Sequence, residues 1–246
     1  MNCISEQAKI GADTELGAFC VIEADAVIGD GCKIGHHVVI HAGSVIGSHV
    51  RIDDFAVVGK RPMIAANSAA TREKELPPAK IGAGSIIGAN AVLYRGCEIG
   101  EDVLVADMAT VREDVRIGSK TIIGRGAAIE NRCTVGVCCK IETNAYITAY
   151  SVIEDHCFVA PCVVTSNDNY AGRSKKRFGS FRGLTLRRGG RIGAGCVVLP
   201  GKTVREDAFV AAGSLVTRDV PARKAAKGSP AQVFRDVEED QLLENQ

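Results

Sequence analysis

Asn167, Asp168 and Asn169 stand at the head of a polar stretch, residues 166–185, that reads SNDNYAGRSKKRFGSFRGLT. Amides and carboxylates clustered this way can hold a polar ligand by hydrogen bonds, and a carboxylate such as Asp168 can accept a proton from it. Counting back in steps of eighteen gives three series: Ser166, Thr148, Glu130, Arg112, Tyr94; then Asn167, Ala149, Asn131, Glu113, Arg95; then Asp168, Tyr150, Arg132, Asp114, Gly96. A fold that stacks residues at that interval lines these side chains along one ridge. The ridge is either a polar groove that receives a ligand or a solvated edge laced with ion pairs.

The five histidines, His36, His37, His41, His49 and His156, are the other candidates for acid–base work. His156 lies shortly before the polar stretch and could deprotonate a hydroxyl, or could be a solvated corner residue. The other four fall early in the chain, away from the ridge. The ten cysteines include no C-x-x-C pair and match no zinc module.

What positions these residues is a six-residue rhythm. Aliphatic anchors Ile4, Ile10, Leu16, Ile22, Ile28, Ile34, Ile40, Ile46, Ile52 and Val58 recur without a slip, a second run goes from Ile81 to Val159, and a third from Leu186 to Val216. Four residues after each anchor stands a small residue, except at Pro62 and Lys202. A helix repeats every 3.6 residues and a plain strand every two, so neither explains this beat. A hexad whose first and fifth residues point inward makes a short strand and a corner, and three hexads close a triangular coil. Roughly thirty units then stack into about ten coils at the ~4.8 Å spacing of paired strands. Each buried aliphatic side chain contributes roughly 1.5–3 kcal/mol, but only because neighbouring coils cover one another. Cys20, Cys32, Cys97, Cys133, Cys139, Cys157 and Cys196 fall on the small inward position and read as reduced core fillers, while Cys138 and Cys162 fall outside it.

The rhythm predicts one elongated all-β domain over 1–220 and a tail over 221–246. Insertions at about 59–80 and 166–185 leave and re-enter in register, as loops do, and long ordered loops are commonly functional. In the tail, Asp236 with Glu239 and the following Leu242 and Leu243 predicts a short terminal helix. Aromatic residues are 4% of the chain and Trp is absent, which argues against stacking platforms for nucleic acid. A net charge of +1 provides no field for polyanions. Without a signal peptide or a long apolar span, a cytoplasmic location away from membranes is expected.

The hexad pattern resembles the hexapeptide-repeat acyltransferases along nearly the whole chain. The phrases IENRC, IETNAYITAYSVIEDHCFVAPCVVTSNDNYAGR, RRGGRIGAGCVVLPG and KGSPAQVFRD resemble more narrowly the nucleotide-sugar N-acyltransferases, nearest those acting on dTDP-3-amino-3,6-dideoxyhexoses. The resemblance implies a left-handed parallel β-helix and a homotrimer. It also implies acetyl-CoA as co-substrate, held between two prisms, and an acyl acceptor that is the amine of a nucleotide-linked sugar. No metal is implied.

Such a transfer needs a neutral, oriented amine and a donor for the oxyanion, and the leaving thiolate can itself take the proton. On that reading Glu142, Asn144, Asn167 and Asp168 hold the amino-sugar, with Asp168 and Glu142 as candidate proton acceptors. Tyr94, Glu130 and Asn131 line the groove, and Lys60, Arg61, Arg95 and Arg112 are candidate diphosphate partners. For coenzyme A, Gly193, Ala194, Ala211, Ala212 and Gly213 permit close approach of the pantetheine arm, and Arg218, Arg223 and Lys224 would meet its phosphates. Three alternatives stay open: an O-acetyltransferase with His156 as base, a non-catalytic trimeric scaffold, and a zinc site of the β-helical carbonic anhydrase kind. His36 and His41 have the five-residue spacing of that zinc site but lack its third histidine.

Overall fold

Each hexad folds into a two-residue strand and a corner. In Val21–Ile22 and Val27–Ile28 the second residue is the buried anchor, and the small residues Cys20 and Ala26 close the corners from inside. A strand this short holds nothing by itself, so stability comes from the coils on either side. Val21 pairs in parallel with Val39 and Ile22 with Ile40, eighteen residues on. The computed structural model describes residues 1–68 and 73–246. Three sheets of 11, 10 and 12 strands, parallel but for the last strand of the third, form the walls of a left-handed β-helix around one continuous core of Ile, Val, Ala and Cys.

The stack runs past the ten coils expected. Leu215–Val216, a bridge from Val204 to Val220, and Lys224–Gly228 complete a further turn, with Ala231–Asp236 added antiparallel. The tail thus begins as part of the prism rather than after it. The expected terminal helix is replaced by two 3₁₀ turns, Glu239–Gln241 and Leu243–Asn245. The reason is local: Asp236 is drawn into the hairpin and ion-paired with Lys224, so it cannot cap a helix. Val237 and Leu242 are buried beside Ala225 and Phe209 instead.

The third residue of many corners is left-handed without being glycine, as at His37 (φ 55°), Asn144 (φ 58°) and His156 (φ 57°). Each costs roughly 1–2 kcal/mol, offset by an amide that donates to the preceding coil, such as His37 N to the Ala18 carbonyl at 2.9 Å. The inward cysteines serve the same economy of hydrogen bonds. Cys20, Cys133 and Cys139 donate to the carbonyls of Gly35, Thr148 and Glu154 at 3.1, 3.1 and 3.0 Å, as the Ser85 and Thr121 hydroxyls do toward Gly100 and Gly136. Burial pushes the Cys97 and Cys133 thiols up to about 12. Cys138 is half-buried and Cys162 exposed.

Both insertions leave from the same wall. Val57–Lys60 and Val164–Thr165 belong to the 11-stranded sheet, and the chain returns at Lys80–Ile81 and Thr185–Leu186, both in the 10-stranded sheet. The two loops therefore rise from one edge of the prism, five strands apart in the shared sheet.

Candidate active site on the looped edge

The ridge read from the sequence is that same edge. Tyr94, Arg112 and Glu130 follow anchors of the 11-stranded sheet, so their side chains stack coil upon coil. The Arg112 guanidinium stands over the Tyr94 ring at 4.9 Å and forks onto Glu113 through Nε (2.9 Å) and Nη2 (3.2 Å). Its Nη1 donates to Glu130 at 3.3 Å. Glu113 is only 5% exposed, and this fork pairs its carboxylate there. Burial raises the Glu130 carboxyl above its ordinary range, against the pull of Arg112 and with the repulsion of Glu113.

The first loop lies along the edge and is pinned to it. Arg95 donates from Nε to the Leu76 carbonyl at 2.9 Å and from Nη1 to the Ala42 carbonyl at 2.8 Å. Lys74 pairs with Asp114 at 2.9 Å. Gly96, with φ 84°, leaves room for Leu76, whose Cδ2 would lie 3.2 Å from any Cβ there. Between loop and ridge is a cavity of about 430 Å³ that runs from Arg61, Pro62 and Ile64 to Asn131 and Arg132. A second cavity of about 450 Å³ shares Arg61 and Arg95 and continues to Lys60, His41 and Glu23.

The second loop meets the same ridge from the other direction. Asp168 shapes its root: Oδ1 accepts from the Tyr170 amide at 2.9 Å, and Oδ2 from the Gly172 amide at 3.0 Å and Arg177 Nε at 2.9 Å. Desolvation raises this carboxyl, but the two amides and Arg177 outweigh it and hold it below the usual range. Phe181 of the loop stacks on Tyr150 with centroids 6.4 Å apart.

The expected residues differ in what surrounds them. Arg95, Arg112 and Glu130 are engaged within the chain: Arg95 braces the loop through two carbonyls while bordering both cavities, and Arg112 braces the buried carboxylate. Lys60 lies over the Tyr94 ring at 5.3 Å, and Arg61 borders both cavities. Asn131 and Asn167 carry no side-chain hydrogen bond among the described residues, although Asn131 is 4% exposed. Glu142, Asn144, Gly193, Ala194, Ala211, Ala212 and Gly213 follow strands of the 12-stranded sheet and therefore line a different edge. On that edge Gly195 and Gly213 face open space. Arg223 pairs with Glu244 at 3.1 Å and Lys224 with Asp236, so both hold the tail. Arg218, just after Leu215–Val216, makes no ion pair among the described residues.

The histidines require one correction. His41, expected far from the ridge, stands on the looped edge, with Nδ1 3.2 Å from Glu23 Oε1, because it follows an anchor of the 11-stranded sheet. His156 follows Val152–Ile153 of the 10-stranded sheet and lies at another corner. His36 lies at a third, where its Nδ1 accepts the Ala18 amide at 2.9 Å, so His36 and His41 diverge. The signal for His41 was its phase in the hexad, which it shares with Tyr94 and Arg112.

Residues 7–42 and 78–113 match the model of the bacterial transferase hexapeptide (six repeats), and residues 189–218 that of the hexapeptide repeat of succinyl-transferase. A 2,3,4,5-tetrahydropyridine-2,6-dicarboxylate N-acetyltransferase of Staphylococcus aureus is 48% identical over 50 residues, 20% of this chain and 21% of that enzyme. The chain thus spans about a fifth of that curated relative's length. Among solved structures, the Arabidopsis UDP-N-acetylglucosamine acyltransferase superposes with a TM-score of 0.58 at 18% identity, covering 96% of this chain and 72% of that one. LpxA from Acinetobacter baumannii does so with a TM-score of 0.50 at 21% identity, covering 94% and 71%. These two likenesses concern the fold. No helix among the described residues is long and apolar enough to cross a membrane.

Proposed function

We propose, on the premise that this chain belongs to the bacterial transferase hexapeptide family, that it transfers an acetyl group from acetyl-CoA to the amine of a nucleotide-linked amino-sugar. The acceptor class favoured is a dTDP-3-amino-3,6-dideoxyhexose, on the resemblance of the TSNDNYAGR and GSPA phrases. One observation carries the reading: both loops and the polar ridge share one edge, while the small-residue corner suited to a pantetheine arm lies on another.

Two such half-sites meet only when the looped edge of one copy faces the small-residue edge of another. This supports a homotrimer with the acyl donor lying between prisms. Glu142 and Asn144 would then join Asn167 across the boundary. Asp168, already accepting from Tyr170, Gly172 and Arg177, would order the loop that presents Asn167.

An amine acceptor is favoured over a hydroxyl because His156 lies at the third corner, which carries neither the loops nor the small residues suited to a pantetheine arm. A scaffold reading gives no account of a 430 Å³ cavity braced by Arg95 and Lys74. The test is thiol release from acetyl-CoA with a panel of nucleotide amino-sugars and the matching hydroxyl sugars. Release only with amines is expected. Release only with alcohols would shift the reading to O-acetylation, and release with neither would favour the scaffold.

A further inference from the structure

The outward residue of each short strand is the one before its buried anchor. On the 11-stranded wall these residues carry no charge from Val21 to Leu215, and valine recurs among them, as at Val39, Val57, Val92 and Val164. The other two walls are charged in the same place: Lys80, Glu98 and Arg116 on the 10-stranded wall, Lys33, Arg51 and Lys140 on the 12-stranded one. An uncharged strip about 45 Å long, at the ~4.8 Å strand spacing, has the composition of a covered face rather than a solvated one.

The two edges that bound this wall match each other coil by coil. Where the chain enters the wall, the left-handed corner residues Phe19, His37 and Phe55 stack as a ladder, with ring centroids 5.0 and 4.8 Å apart. Phe19 is 58% and Phe55 54% exposed within one chain. Where the chain leaves the wall stand Glu23, His41, Lys60 and Arg61, which line the cavity of about 450 Å³. Phe19 and Glu23 flank the strand Val21–Ile22, His37 and His41 flank Val39–Ile40, and Phe55 and Arg61 flank Val57–Lys60. Higher up, the ladder position shrinks to Gly195 and Gly213, each with open space about it. These lie one and two coils beyond Val164–Thr165, from which the second loop projects on the opposite edge. One edge is therefore bulky beside the other's cavity and bare beside its loop.

We infer that the 11-stranded wall is the face by which copies of this chain pack around a three-fold axis, the Phe19–His37–Phe55 ladder of one copy closing the cavity rimmed by Lys60 and Arg61 on the next. The inference rests on the homotrimer of the reading above, and not on its acyl acceptor. Copies related by rotation alone keep each coil at its own height, so the residues flanking one strand meet their counterparts across the boundary. The rings then cover the carbon stems of Lys60 and Arg61 and leave the charged heads in the cavity.

Cysteine cross-linking of the full chain tests this, in a background where Cys3→Ser, Cys138→Ser and Cys162→Ser remove the accessible thiols. The matched pair is Phe55→Cys with Arg61→Cys. The extended strand Val57–Lys60 separates the two positions within one chain, beyond the ~7 Å Cα limit for a disulfide, so only copies can join. The mismatched pair, Phe19→Cys with Arg61→Cys, is two coils or roughly 10 Å out of level. Mild oxidation is expected to give covalent dimers and trimers from the matched pair alone on non-reducing denaturing gels. No such product, or equal product from both pairs, would overturn the inference. Light scattering adds a second reading: Phe19→Asp with Phe55→Asp should lower the mass of the assembly about three-fold, and a wild-type monomer or an undiminished variant would overturn it. Matched cross-links without thiol release on any acceptor would leave this interface standing and remove the acyl-transfer reading, whereas thiol release by an assembly that fails to cross-link would remove only the interface.

Discussion

Arg132 donates from Nη1 to the Tyr150 hydroxyl at 2.7 Å, one coil further along the same edge, and its guanidinium lies 5.4 Å from the Tyr150 ring centre. Arg132 also borders the first-loop cavity, and Tyr150 carries Phe181 of the second loop. This single contact joins two insertions that leave the prism five strands apart.

Phe181→Ala removes the ring that stacks on Tyr150, a contact of about 0.5–1.5 kcal/mol beyond its buried area. The second loop should then open more often while the coils stay folded. Limited trypsin digestion should cut faster after Arg177 and Arg182, with an unchanged global melting temperature. Equal cutting rates would mean the stack does not hold the loop.

Arg112→Ala leaves the buried Glu113 carboxylate unpaired, a change expected to cost about 3–5 kcal/mol in chemical denaturation. Glu130→Gln should behave differently. Burial, opposed by Arg112 and reinforced by Glu113, raises the Glu130 carboxyl, so the fold favours its protonated form and gains stability as pH falls through that raised value. At neutral pH the neutral glutamine should therefore not lower the melting temperature. A large loss there would assign Glu130 a net stabilising charge.

The Asp168 carboxyl is lowered below its usual 3.8. A depressed carboxylate contributes stability above its unfolded pKa and loses it as pH falls through the folded value. Hydrogen exchange of the Tyr170 and Gly172 amides, measured as protection relative to core amides, should therefore weaken below about pH 4. Constant protection down to pH 2 would contradict the pairing.

Thiol labelling of the native protein should reach Cys3, Cys138 and Cys162, while the buried cysteines react only after denaturation. Labelling of Cys97 or Cys133 in the folded state would be inconsistent with their burial and raised thiol values.

His156→Ala should leave amine acetylation intact, since His156 occupies the corner that carries neither the loops nor the small-residue edge. Abolished turnover in that variant, read by thiol release, would restore the hydroxyl-acceptor alternative.

The hexad by itself determined the prism, the inward cysteines, the stacking of Tyr94, Arg112 and Glu130, and both loop boundaries. Each follows from a period fixed by covalent geometry and by which residues tolerate burial. Only the tertiary structure decided that His41 joins the ridge and that Asp168 is consumed by Tyr170, Gly172 and Arg177. It also decided that Asp236 enters a hairpin instead of starting a helix. Those outcomes depend on hydrogen bonds between residues remote in sequence, and a donor's choice among acceptors is settled by distance and direction, which a linear repeat does not encode.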